Sequence, residues 1–336
     1  MAEYLTNTAD LTAVANAIRA KGGTSAQLVY PSGFVSAIQA IQTGITPKLV
    51  VTTSAGAAVT AAKGSRTVTG TAGTDGTCTL ELPEAGAWSV TSAKDGLSST
   101  QSIVIGTQSV SLLLIDPVFA NNTWAQIIEA CQAGLVPAAW AVGDSKTMSI
   151  NGAEYQVDII GKNHDEYADG SGTAPLTFQL HDCYGTLYAM NTASTVGMGS
   201  WKSSVMRSAH LPALMALMPE AVRDGIRQVN KLTAAPASSG FVIETTAETL
   251  FLLSEVEVFG ATSYSEQGEG TQYDYYLAGG NKVKTRNGTN AIWWERSPTK
   301  SSQSTQGTNF CAVYDSGVYA NANATGSYGV SFAFCF

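Results

Sequence analysis

Residues 291–336, AIWWERSPTKSSQSTQGTNFCAVYDSGVYANANATGSYGVSFAFCF, set the reading of the whole chain. The stretch has two firm ends. Trp293, Trp294, Arg296 and Pro298 open it, and Gly329-Val330-Ser331-Phe332-Ala333-Phe334-Cys335 closes it as an apolar, aromatic strand. Between them, residues 299–329 are mostly Ser, Thr, Asn, Gln, Tyr, Gly and Ala, with Lys300 and Asp315 as the charged positions. Such a composition suits a binding surface. Tyrosine supplies rigid amphipathic area at low entropic cost, and Ser, Asn and Gly supply adaptable hydrogen bonds. A disordered linker shares the Ser and Gly but does not carry Phe310, Val313, Tyr314, Val318 and Tyr319. The expectation is an ordered, loop-rich face. Its candidate ligand-binding residues are Asn290, Trp293, Ser301, Ser302, Gln303, Ser304, Thr305, Asn309, Tyr314, Asp315, Ser316, Tyr319, Asn321 and Asn323. Trp293 and Trp294 on a strand point to opposite sides, so one belongs to the core and the other either floors the surface or is core as well.

Working outward, 336 residues predict two or three domains. Charged residues make up 13% of the chain and Gly is abundant at 33, which suits a β-rich, loop-rich, outward-facing protein. A net charge of −8 without any Lys/Arg cluster argues against nucleic-acid binding. The opening MAEYLTNTADL has neither a basic n-region nor an apolar h-region, so no secretory signal is expected. No apolar run is long enough to cross a bilayer, so no membrane insertion is expected. The five cysteines, Cys78, Cys131, Cys183, Cys311 and Cys335, show no CxxC spacing and read as small buried hydrophobes.

In chain order, residues 1–45 read as a helical segment. Asp10 caps a first helix with Leu11, Val14 and Ile18 on one face, ended at Gly22-Gly23. A second follows Pro31-Ser32, with Phe34, Ile38 and Ile41 on one face and Gly44 after it. Two short amphipathic helices need a partner surface. Residues 46–116 read as a small β-sandwich spacer. Cys78, Leu80 and Leu82 alternate inward, Trp88-Val90, Ile103-Ile105 and Val110-Leu112-Leu114 repeat the pattern, and Thr74-Asp75-Gly76 and Lys94-Asp95-Gly96 mark turns. Asp116-Pro117 makes a boundary, and residues 117–336 read as an α+β domain. Its elements are a helix capped by Asn122 or Thr123, a hairpin turning at Asn151-Gly152, a strand over 175–184, and helices over 201–229 broken at Pro212 and Pro219. A core strand is expected over 250–259, with Val256 and Val258 facing opposite to Glu255 and Glu257, and long loops over 260–280 and 299–329.

Catalytic groups are sparse. His164, His181 and His210 lack the helical spacing of a metal pair, so no metal and no cofactor are expected. No nucleophile elbow occurs. Asp165 with Glu166, or Glu266 with Glu269, could flank a sugar as glycosidase carboxylates do, and Asp165, Glu166 and Asp169 offer oxygens to calcium. Nothing in the context of the pairs demands a glycosidase, and a solvated loop is the favoured reading over a calcium site.

The segments WWERSP (293–298), NFCAVYDSG (309–317) and GVSFAFC (329–335) resemble the C-terminus of a lectin-like domain family common in phage tail proteins. The likeness extends upstream to about Trp124 through WAVGD (140–144), NGAEYQVDIIGKNHD (151–165), PLTFQLHDCY (175–184), LFLLSEVEVFG (250–260) and EGTQYDYY (269–276). The resemblance implies a C-type lectin fold in its formylglycine-generating (sulfatase-modifying) version. In several relatives, diversity-generating retroelements rewrite surface residues near the C-terminus while the buried frame stays fixed. It further implies a phage tail receptor-binding protein that recognises a host cell-surface protein or glycan. Residues 46–116 would be an immunoglobulin-like spacer, and residues 1–45, similar to N-terminal segments of tail proteins, would contact other tail proteins or build a homotrimer. The place would be the virion tail. The alternatives are an enzyme of the same fold and a purely structural virion subunit. Against the first, the reactive cysteine pair of the formylglycine-generating enzymes sits a few residues apart, whereas Cys311 and Cys335 are far apart in sequence. The histidine cluster of the iron-dependent relatives is likewise not reproduced.

Overall fold

A computed structural model describes residues 8–22, 27–30, 32–40, 47–105, 109–193, 200–237, 240–300 and 308–336. Gly23, Pro31, Ile41, Gly44 and Ser301, Ser302, Gln303, Ser304 and Thr305 lie outside the described residues. The chain divides into two units, Met1–Leu114 and Ile115–Phe336.

The first unit opens with helices α1 (Thr8–Gly22) and α2 (Ser32–Ala40). Helix α1 already runs at Thr8, so Asp10 lies in its first turn and not at the cap position. The two helices meet on a narrow seam of Ala15, Ile18 and Phe34, which leaves Val14 and Ile38 about half exposed. Strands β1 (Lys48–Thr52), β2 (Ala58–Lys63), β3 (Arg66–Thr71), β4 (Thr77–Glu81), β5 (Gly86–Lys94), β6 (Leu97–Ile105) and β7 (Ser109–Ser111) follow. They form two sheets, ordered β4-β1-β7 and β3-β2-β5-β6. Leu49, Val51, Cys78 and Leu80 from one sheet share a core with Val59, Ala61, Trp88 and Val90 from the other. The alternation in the sequence predicts this, because a strand with one buried face hides every second side chain. Asp95 (φ 51°) and Gly96 (φ 84°) join β5 to β6 with Lys94 opposite Leu97, the left-handed pair that a two-residue hairpin needs.

The second unit begins with α3 (Trp124–Gln132). Thr123 caps it in a reciprocal box with Gln126 and so satisfies amide groups that the first turn leaves unpaired. Strands β8 (Ser145–Ile150), β9 (Ala153–Gly161), β10 (Thr177–Leu180) and β11 (Tyr188–Ala189) come next. A 3-10 turn at Trp201–Ser203 and a π-turn at Met206–His210 lead into α4 (Leu211–Met215) and α5 (Glu220–Gly225); the expected break occurs at Pro219, which precedes α5, whereas Pro212 lies in the first turn of α4, where its missing amide interrupts nothing. A two-stranded ribbon of β12 (Val229–Ala237) and β13 (Gly240–Glu248) precedes short helices α6 (Glu255–Phe259) and α7 (Asp274–Leu277). The remaining strands are β14 (Lys284–Arg286), β15 (Thr289–Ala291), β16 (Trp293–Pro298), β17 (Asn309–Val313), β18 (Tyr319–Asn323), β19 (Ser327–Tyr328) and β20 (Ala333–Cys335).

The C-terminal strand closes the main sheet, ordered β20-β10-β9-β8, and a second sheet runs β16-β17-β18. One apolar core holds both, with Phe178, Phe334, Trp140, Trp201, Trp293 and Trp294 fully buried. The chain is thus mostly β, in two units with few helices.

Besides the Asp10 cap and the Pro212 break, two sequence expectations change. Residues 255–259 are helix α6 and not strand: Ser254 caps it in a box with Glu257, and Gly260 ends it at φ 70°. A four-residue Glu/Val alternation is too short to fix a period, and the caps decide it. Residues 299–329 are not one long loop, because β17 and β18 pair through Asn309↔Asn323, Cys311↔Asn321 and Val313↔Tyr319.

Candidate functional site

Strand β16 anchors the candidate face. Trp293 and Trp294 are both wholly buried. The indole of Trp293 donates to the Lys282 carbonyl at 3.0 Å, and that of Trp294 donates to Tyr188 at 2.8 Å. Both sides of β16 are covered, so Trp293 belongs to the frame and offers no surface to a ligand. Arg296, also fully buried, forks onto the Glu257 carboxylate (Nη2 to Oε1 2.9 Å, and Nη1 to Oε2) and donates to Leu232, Leu252 and Thr233. Lys231 reaches Glu257 at 2.6 Å and Asp165 at 2.7 Å. Thr177 and Tyr273 complete the hydrogen bonds to Asp165. Paired and bonded in this way, Asp165 titrates at about 2, with Lys231 holding it down against the larger effect of burial. The network ties β12, α6 and β16 into one block.

Beside that block lie acids without such partners. Glu295 is buried with no hydrogen bond to either carboxylate oxygen among the described residues. Burial, then Glu255 and Glu269, push its carboxyl well above the usual range. Glu269 bonds the Ala234 amide at 2.7 Å, yet burial raises it to about 7. A buried carboxyl without a cation keeps its proton. Glu255 differs, because the backbone amides of Tyr264 and Ser265 donate to it.

On this frame the structure gathers part of the predicted face. Along β18, Tyr319, Asn321 and Asn323 are exposed, while Ala322 between them is buried. Asn309 of β17 joins them, its side-chain amide donating to Asn321 at 3.0 Å. Tyr319 lies flat on Phe259, with centroids 4.0 Å apart. The carboxamide of Asn323 is committed to its own turn, where it accepts from the Thr325 amide and hydroxyl. At the β17–β18 turn, Tyr314 is 46% exposed and Ser316 is exposed. Asn290, on β15, donates to the Asp315 carbonyl at 3.1 Å. Asn290 and Asp315 line a cavity of about 270 Å³ with Arg286, Thr289, Ser327 and Tyr328, a set the sequence did not single out apart from the first two.

The other predicted groups scatter. Asp165 is locked in the core network, Glu166 pairs by backbone with Thr173, and Asp169 meets Arg227 at 2.6 Å. His164 stacks on Tyr273, His210 lies against Tyr188, and His181 bonds Asp158. Among the described residues no three His, Cys, Asp or Glu side chains converge as metal ligands. All five cysteines are free and buried. Burial pushes Cys311 and Cys335 well up and raises Cys183 to about 12.

Residues 177–336 match the model of a family described as a domain of unknown function (DUF6273). No curated protein matches the chain.

Proposed function

We propose that the chain is a binding protein, a phage tail receptor-binding protein whose second unit, a C-type lectin-like fold, presents the β17–β18 face to a host cell-surface protein or glycan. The observation that carries this reading is the alternation on β18. Tyrosine and asparagines point outward from a strand whose other side is sealed into an aromatic core, with scarcely any charge on the outward side. Such a face changes its side chains without disturbing the frame, and it docks through rigid tyrosine and adaptable amides. The immunoglobulin-like sandwich of the first unit serves as the spacer. Helices α1 and α2 attach to other tail proteins or to further copies, three by analogy with tail fibres, and multivalency raises a weak single-site affinity. Ser316 belongs to the same docking surface in this reading, which places the protein in the virion tail. The test is adsorption of the fluorescently labelled full chain to cells of candidate host bacteria. Saturable adsorption is expected on some hosts, and absence of saturable adsorption to every host tried contradicts the reading.

A further inference from the structure

A second cavity, of about 290 Å³, lies between the β8–β9 hairpin and the β14–β15 hairpin, lined by none of the described β17–β18 residues. Glu154, Tyr155, Gln156, His181, Asp182, Thr285 and Asn287 give it polar walls. Three features mark it as built. His181 Nδ1 meets Asp158 Oδ2 at 2.6 Å, and that carboxylate is buried at 4% exposure, with its other oxygen unpartnered among the described residues. This bond fixes the ring so that its second nitrogen, Nε2, is the one available for a ligand. The Tyr155 hydroxyl accepts the Gly185 amide at 3.2 Å and keeps its own hydrogen to donate, while its ring is stacked on Tyr184. Gly185 allows the close approach: a Cβ there would sit 3.3 Å from that hydroxyl and 3.8 Å from Asn287 Oδ1.

The inner charges around the cavity are paired. Asp158 faces His181, and Lys284, fully buried beneath, is held between the Leu180 and His181 carbonyls, where it feels both Asp158 and Asp182. Asp182 also accepts the Thr285 amide. Glu154 is a rim charge. Glu154, the charge left over, is exposed and screened by solvent, so the cavity has little pull on an ion, yet it presents donors and acceptors in alternation and one aromatic ring. We propose that it binds an uncharged, polyhydroxylated ligand about the size of one sugar ring, either free or as the end unit of a glycan. Several hydroxyls, each both donor and acceptor, satisfy an amide, imidazole, phenol and carboxylate wall where a single charge does not.

Saturation-transfer NMR on the full chain tests this with methyl glycopyranosides of gluco, galacto, manno and N-acetylglucosamine configuration. Transfer to the ring protons of at least one is expected, and none to its per-O-methylated form. Gln156 is exposed, and Asn287 is an exposed turn residue at φ 50°, a conformation that glycine keeps and alanine strains, so Q156A/N287G keeps the fold. Affinity in that variant is expected to fall roughly tenfold, the equivalent of one lost hydrogen bond. In Tyr319→Ala the affinity is expected to stay unchanged. A positive sugar immobilised as the end unit of an oligosaccharide separates the sources: retention of the chain assigns the site to glycan ends, and transfer without retention assigns it to free saccharide. No transfer to any of the sugars overturns the inference, as does transfer undiminished in a folded Q156A/N287G. Transfer lost in Tyr319→Ala but kept in Q156A/N287G overturns it in favour of the docking face.

Discussion

Tyr319 stacks on Phe259 with ring centroids 4.0 Å apart and planes 29° from parallel. The contact joins the exposed side of β18 to helix α6, and so joins the candidate docking face to the block held by Arg296 and Glu257. An exposed tyrosine held in this way is already oriented before a ligand arrives, which lowers the entropic cost of docking. Phe259→Ala should therefore weaken host-cell adsorption with Tyr319 still present, and should cost about 0.5–1.5 kcal/mol of stability beyond lost burial. Adsorption isotherms alongside thermal denaturation separate the two effects.

Arg296 is the next point of leverage. It is fully buried, and its fork on Glu257 is what compensates that carboxylate together with Lys231. Arg296→Met should destabilise the second unit by about 3–5 kcal/mol, because an unbalanced buried charge remains. Urea denaturation followed by tryptophan fluorescence reads this directly. A loss under about 1 kcal/mol, the value of an exposed pair, would mean that the pair is not buried.

The buried acids without an ion-pair partner predict a pH dependence. The Glu269 carboxyl is raised from 4.5 to about 7. The Glu295 carboxyl is raised well above 4.5. Folded protein therefore holds protons that the unfolded chain has released, and stability falls as pH rises. The contribution of Glu269 is complete below pH 4.5 and is lost as pH climbs through about 7. His181, raised chiefly by its bond to Asp158, adds in the same direction. Denaturation midpoints across that window should decline in the native chain and decline less in E269Q/E295Q.

Thiol chemistry offers a further check. All five cysteines are buried and free, with Cys335 Sγ 3.4 Å from Thr177 Oγ1. Ellman's reagent should label none in the folded protein and all five in denaturant. Fast labelling of Cys311 in native protein would favour the enzyme reading over the binding one.

Much of the fold was legible because short-range chemistry fixed it. Asn151-Gly152 and Asp95-Gly96 turn at positive φ, Thr123 caps α3, and Cys78, Leu80 and Leu82 point inward as their alternation requires. Helix α6 was misread as strand because Glu255-Val256-Glu257-Val258 alternates, although Ser254, Glu257 and Gly260 carried the signals of its two ends. Trp293 looked like a surface candidate because a strand has two sides, and nothing local reveals that residues near Lys282 cover the second. Strand β18 hid in a low-complexity run, since YANAN buries only alanines and so lacks the bulky apolar residues that mark a strand. Arg286, Tyr328 and the His181–Asp158 pair escaped notice for a related reason: they meet only through tertiary pairing.

The account stands most directly on which face meets the host cell. The decisive measurement is host-cell adsorption of the full chain carrying Ala at Tyr314, Asp315, Tyr319 and Asn321, compared with a control carrying Thr245→Ala on β13, both with native-like thermal transitions. The account predicts that adsorption is abolished in the first and kept in the control. Undiminished adsorption by the folded fourfold variant would contradict it.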